Sequence, residues 1–125
     1  WAATPGTYST IDHGSRDSYI LKLDNTGNRL WGTTWGGNNH DWILDVAVNS
    51  SDEVFVLTGT YSNNLVTTAD AHQLVRPGHW DKHIGQLNAS GTTLLYGSYL
   101  GSNQYDMPEV GSLAFNNSSL RDLLR

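Results

Sequence analysis

Asp17 to Asp41 reads DSYILKLDNTGNRLWGTTWGGNNHD, and Asp81 to Asp106 reads DKHIGQLNASGTTLLYGSYLGSNQYD. Laid over one another at an offset of 64, they align Asp17 with Asp81, Ile20 with Ile84, Leu23 with Leu87, Gly27 with Gly91 and Leu30 with Leu94, and Gly14 meets Gly78 upstream. One inserted residue moves the offset to 65, where Gly32 meets Gly97, Gly36 meets Gly101, Asn38 meets Asn103 and Asp41 meets Asp106. Two further insertions bring Ala47 and Asn49 onto Ala114 and Asn116. Glycines, aspartates and apolar positions held in one order over such a length mark an internal repeat, and repeats of this kind build arrays of stacked supersecondary units.

Each unit reads as short strands. Asp17 to Asp24 is apolar and β-branched enough for one, and Asn25-Thr26-Gly27-Asn28 supplies the positive φ of a hairpin turn. Arg29 to Trp35 then returns antiparallel. Trp42 to Val48 alternates, placing Trp42, Leu44, Val46 and Val48 on one face and Ile43, Asp45 and Ala47 on the other. Glu53 to Gly59 is apolar on both faces, as suits a strand held between sheets. The second copy repeats the first hairpin as Lys82 to Leu87 and Thr92 to Leu100, and a further strand near Val110 to Phe115 opens a third unit. The polar stretch from Asn63 to Trp80, matched upstream by Pro5 to Arg16, is expected to be a surface loop. The terminal Leu120, Leu123 and Leu124 have the spacing of one or two helical turns.

The run DSYILKLDNTGNRLWGTTWGGNNHD, followed by DVAV and VFVLTGTYS, resembles the bacterial seven-bladed β-propeller repeat, abbreviated SBBP, from about Pro5 to Asn117. The resemblance implies a propeller or propeller-like fold in exported or cell-surface bacterial proteins and supplies no catalytic residues. His83 stands where the first unit has Tyr19, and Gln86 where it has Lys22. The expected fold is therefore all-β, with antiparallel four-stranded blades forming a partial propeller. Residues 1–40 would be the outer part of one blade with its preceding loop, 41–104 one nearly complete blade, and 105–125 the start of the next with an atypical C-terminus. A sheet with two apolar faces needs neighbouring sheets to cover them. Further blades, self-association or a partner protein are the expected cover.

Composition narrows the function. Twelve acidic against seven basic residues leave a net charge of −5 with no basic cluster, which speaks against nucleic acid as a partner. Cysteine is absent, so disulfides and thiolate zinc sites are ruled out. No apolar run approaches the roughly 18 residues of a spanning helix, so membrane insertion is not expected.

The side chains that could carry chemistry read mostly as structural. His79 and His83 have a helical metal-pair spacing, but on a strand positions four apart lie ~13 Å apart, too far to share an ion. Asp24 to Asn28 lacks the ligand spacing of a calcium loop, and an Asx-stabilised turn accounts for it. Asp17, Asp41, Asp81 and Asp106 recur at strand starts, where a carboxylate caps backbone N–H groups. No nucleophile elbow, phosphate loop or zinc-protease motif occurs, and no cofactor is implied.

Aromatic faces stack on sugars and anchor interfaces, which makes the tryptophans the best contact candidates. Trp31 and Trp35 share one face of a strand and read as packing between sheets. Trp42, Trp80 and His83 are left as the candidate ligand contacts. The expectation is a non-catalytic, secreted or cell-surface scaffold or adhesion module that binds protein or glycan, in part through the loop Asn63 to His79. The alternatives are part of a propeller-type polysaccharide lyase or hydrolase, and a pure spacer.

Overall fold

A computed structural model describes residues 3–103 and 111–113. Six strands form two antiparallel sheets: β1 (Ser18–Leu23) with β2 (Arg29–Trp35), and a four-stranded meander of β3 (Asp41–Val48), β4 (Val54–Thr60), β5 (Asp81–Leu87) and β6 (Leu94–Leu100). All six lie within two residues of the segments expected from hydrophobic pattern. The strand expected near Val110 to Phe115 and the turn of helix at Leu120 to Leu124 fall largely outside the described residues.

The two copies adopt the same backbone in detail. In the first, Thr4 N–H donates to Gly32 C=O at 2.8 Å and Thr34 N–H to Ser9 C=O at 3.0 Å; in the second, Thr68 N–H donates to Gly97 C=O and Tyr99 N–H to Gln73 C=O, both at 3.0 Å. Side chains copy the pattern. Thr4 Oγ1 accepts from Gly32 N–H as Thr68 Oγ1 does from Gly97 N–H, and Thr33 Oγ1 accepts from Ser9 N–H as Ser98 Oγ does from Gln73 N–H. The long connections lie at the surface, as expected, but they are tied down. Each folds back along the outer edge of its hairpin and satisfies N–H and C=O groups that an edge strand would otherwise leave open.

The hairpin turns match as well. Gly27 and Gly91 take φ of 90° and 68°, and each donates its N–H to the carbonyl three residues back, at Asp24 and Asn88. Asp24 Oδ1 accepts from the N–H groups of Thr26 and Asn28, both at 2.9 Å. Asn88 Oδ1 accepts from Thr92, the counterpart of Asn28, and from Thr93 in place of the bond two residues on. The Asx turn expected at Asp24 therefore accounts for that carboxylate.

The sheets pack face to face. Ile20, Trp31 and Trp35 of the first sheet meet Val54, Val56 and Leu87 of the second in one buried cluster, with Tyr8, Ile43 and Leu94 around it. Trp31 and Trp35 are filling between sheets, and each still places its indole N–H: Trp35 Nε1 donates to Thr58 Oγ1 at 2.8 Å and Trp31 Nε1 to Ala89 C=O at 3.0 Å. A Cβ on Gly85 would overlap the Trp35 ring, so glycine there is what lets the sheets approach.

The opposite face of the four-stranded sheet carries a second cluster, Phe55, Ile84 and Tyr96, with Leu100 and Leu113 against it. Ile84 and Tyr96 are the repeat counterparts of Ile20 and Trp31. That face corresponds to the one the first sheet turns toward the second. Leu113 lies on it and donates its N–H to Asp45 Oδ2 at 2.7 Å.

One strand departs from its simple alternation. The β3–β4 register runs Trp42↔Gly59, Ile43↔Thr58, then Asp45↔Leu57, Val46↔Val56 and Val48↔Val54, so Leu44 is an extra residue forming a bulge. Directly opposed residues share a face, which puts Ile43 with Val46 and Val48 and turns Trp42 to the other side. The expectation that Trp42, Leu44, Val46 and Val48 share a face is corrected on this point: one inserted residue reverses the parity of everything before it.

Among the described residues no helix is long and apolar enough to cross a membrane.

Candidate functional site

The start of β3, the end of β4 and the start of β5 lie side by side, through the pairs Asp41↔Thr60 and Thr60↔Asp81. Two aspartates anchor this end of the sheet. Asp41, 2 % exposed, accepts from Gly37 N–H at 2.7 Å, Thr60 Oγ1 at 2.5 Å and Ser62 Oγ at 2.6 Å. Burial pushes its carboxyl above the ordinary range against the opposing pull of those three donors. Asp81 accepts from Gly78 N–H at 3.0 Å, and Asp17 accepts from His13 N–H. These carboxylates cap the incoming loops, the role their recurrence at strand starts suggests; Asp106 lies outside the described residues.

Above the aspartates sits an aromatic cluster. Tyr61 follows β4 and Trp80 precedes β5, so both continue the face that carries Gly59 and Lys82, and the Leu44 bulge turns Trp42 onto that face too. Tyr61 and Trp80 stack with ring centroids 5.0 Å apart and planes 18° apart. Trp42 meets Trp80 edge-on at 6.1 Å and Tyr61 at 5.8 Å, and His40 closes on Tyr61 at 6.3 Å. All four side chains are half-buried. An open cleft of about 520 Å³ lies on one side, lined by Asn39, Tyr61, Arg76, His79 and Trp80. Another, about 320 Å³, lies between Arg16, His40, Asp41, Trp42 and Tyr61. Tyr61 borders both.

Trp42 and Trp80 are therefore brought together, 80 − 42 = 38 residues apart in the chain. His83 is not among them. It is 1 % exposed on the opposite face of β5, between Trp35 at 6.1 Å and Tyr99 at 5.3 Å, and its Nε2–H donates to Val66 C=O at 2.8 Å. Its Nδ1 has no hydrogen-bond partner among the described residues, and burial pushes its pKa down to about 4. This imidazole is a neutral core group. The surface contact expected of His83 is corrected accordingly, because β5 is covered by the first sheet on the side where His83 projects.

Tyr61, His40 and Arg76 belong to the site and were not singled out from sequence. Tyr61 stands just past a strand end, where alternation carries its face forward, and that signal was available. Arg76 had none, since only the folded loop brings it back to Tyr61: its Nη1 donates to Tyr61 C=O at 2.6 Å and to His79 C=O at 2.8 Å. Among the described residues no group of three or more His, Cys, Asp or Glu could hold a metal ion. The stacked pair covers one face of each ring, so what it offers a sugar ring or a planar peptide side chain is the aromatic surface left toward the clefts, with amide, imidazole and guanidinium groups at the rim fixing orientation.

Comparison with protein-family models gave no match, and neither did a search of curated proteins.

Proposed function

We propose that this chain is a run of propeller-type repeats of the SBBP kind, displayed outside the bacterial cell, which serves as a non-catalytic scaffold or adhesion module and holds a glycan on its aromatic cluster. The observation that carries the binding reading is the stacked Tyr61–Trp80 pair with Trp42 beside it, open to two clefts at one end of the four-stranded sheet. Aromatic side chains kept half-buried in a cleft, when the same chain buries Trp31 and Trp35 in its core, are the features of a contact surface.

The propeller reading is supported by the repetition of sheet, edge loop and packing face. It is also supported by β1. Its counterpart β5 pairs on both sides, with β4 and β6, whereas among the described residues β1 pairs only with β2. Tyr19, Leu21 and Leu23 of that strand are exposed. A strand of the β4 type from another repeat would complete the sheet and cover the edge. The lyase or hydrolase alternative draws no support from His83, which has no access to a substrate.

A glycan array probed with the intact chain tests this. Binding that disappears in Trp80→Ala and Trp42→Ala, with the bound sugar recovered chemically unchanged, is the expected result. Cleavage of the sugar would replace the adhesion reading with the enzyme one. A chain that binds no glycan and stays monomeric by light scattering would leave only the spacer.

A further inference from the structure

The larger cleft has a charge character that the whole chain lacks. The protein carries a net −5, yet no acidic side chain lines this cleft, and two of its five lining residues are Arg76 and His79. The neighbouring Asp81 is buried and turned to the Gly78 N–H. Arg76 is held in place. Both hydrogens of its Nη1 are used by the carbonyls of Tyr61 and His79, which locks the guanidinium against the loop. Its other edge, Nε–H with Nη2, makes no hydrogen bond among the described residues, and that edge is a side-on fork matching the two oxygens of a carboxylate.

The constellation is also confined to one repeat. Where the second unit has Arg76, His79 and Trp80, the first has Asp12, Ser15 and Arg16 at the same offset of 64. The shared backbone therefore does not require these side chains. Thr4 and Thr68, which support hydrogen bonds common to both units, do recur.

We propose that this cleft selects a sugar bearing a carboxylate, a hexuronate residue, with its ring against the indole of Trp80, its carboxylate paired with the free edge of Arg76, and the Asn39 side-chain amide reaching a ring hydroxyl. The proposal rests on the glycan-binding reading and gives it a substrate class. The locked guanidinium loses little freedom on pairing, so its preference over a neutral sugar of the same shape is set by a charge-assisted bidentate contact, about ten-fold in affinity at low salt.

Calorimetry on the intact chain with a galacturonate trimer and a galactose trimer decides it. The acidic trimer is expected to bind about ten-fold tighter at low ionic strength, with the gap narrowing as salt is raised. Arg76→Lys keeps the charge and a donor for the loop carbonyls but loses the fork, and should bring the ratio of acidic to neutral trimer affinity down toward one, whatever it does to the two affinities themselves. Asn39→Ala, which alters no loop anchor on Arg76, should weaken both trimers alike. Equal binding of the two trimers would overturn the acidic preference and leave glycan binding standing. Binding of neither would overturn both readings. A glutamate-rich peptide that binds as tightly as the acidic trimer would overturn the sugar as the ligand class.

Discussion

The two hairpins, β1–β2 and β5–β6, share their backbone hydrogen bonds, their turn glycines and the loops that close their outer edges, yet equivalent side chains meet opposite surroundings. Tyr19 is 58 % exposed and its counterpart His83 is 1 % exposed. Gly27 has nothing within 4 Å of where a Cβ would stand, whereas at Gly91 that atom would fall 2.6–2.8 Å from the Trp31 indole. Trp35 is fully buried and its counterpart Leu100 is half-buried. Hairpin geometry is therefore a local property carried by the repeat. What each side chain experiences is set by the sheets stacked around it.

The largest expected effect that sharpens this contrast is at Trp35. Trp35→Ala should cost about 3–5 kcal/mol, from the cavity between the sheets and the lost partner of Thr58, while Leu100→Ala should cost clearly less; urea melts of both variants measure the difference.

Next comes pH. The folded His83 has its pKa pushed down to about 4 from an ordinary 6.5, so it binds its proton more weakly than in the unfolded chain. The folded state keeps the full benefit of the neutral imidazole above about pH 6.5 and loses about 3 kcal/mol as pH falls toward 4. The raised Asp41 carboxyl acts in the opposite sense, so the imidazole's share is read as the difference between the native chain and His83→Gln, which retains a donor for Val66. Native stability that falls no faster than that of His83→Gln across this window would show the imidazole to be reachable by solvent.

Smaller still is the turn comparison. Both turn glycines sit at positive φ, which costs an alanine about 1–2 kcal/mol, but only Gly91→Ala adds a collision with Trp31. Thermal melts should rank Gly91→Ala below Gly27→Ala, and equal melting temperatures would mean the Trp31 contact is not tight. The smallest effect is at Asp24→Asn. In the second unit an asparagine, Asn88, already accepts from Thr92 N–H, the counterpart of Asn28, so the melting temperature should be unchanged, even though hydrogen bonds from Thr26 and Asn28 hold the Asp24 carboxyl down to about 2.

The strands were legible because each hairpin is written in adjacent residues: an alternating or apolar run, a turn glycine, and a return. The packing role of Trp31 and Trp35 was legible for the same reason, since they share a face of one strand and two large apolar groups there need a covering sheet. The site was only half legible. Trp42 and Trp80 stood out as aromatics, but their meeting depends on the extra residue at Leu44, and no local pattern marks a bulge inside an otherwise regular alternation. The loop Asn63 to His79 was expected to take part in binding, but nothing local marked Arg76 within it, because its position against Tyr61 follows from the path of that long loop.

The repeat, the six strands, the turn chemistry and the capping aspartates were determined by the sequence alone, because each depends on contacts between near neighbours or on a pattern that recurs at a fixed offset. The tertiary structure alone decided which face Trp42 takes, that His83 is sealed in the core, and that Tyr61, Trp80 and Arg76 form one cleft. Those outcomes depend on register and on which sheet covers which face, and both are set by residues far apart in the chain.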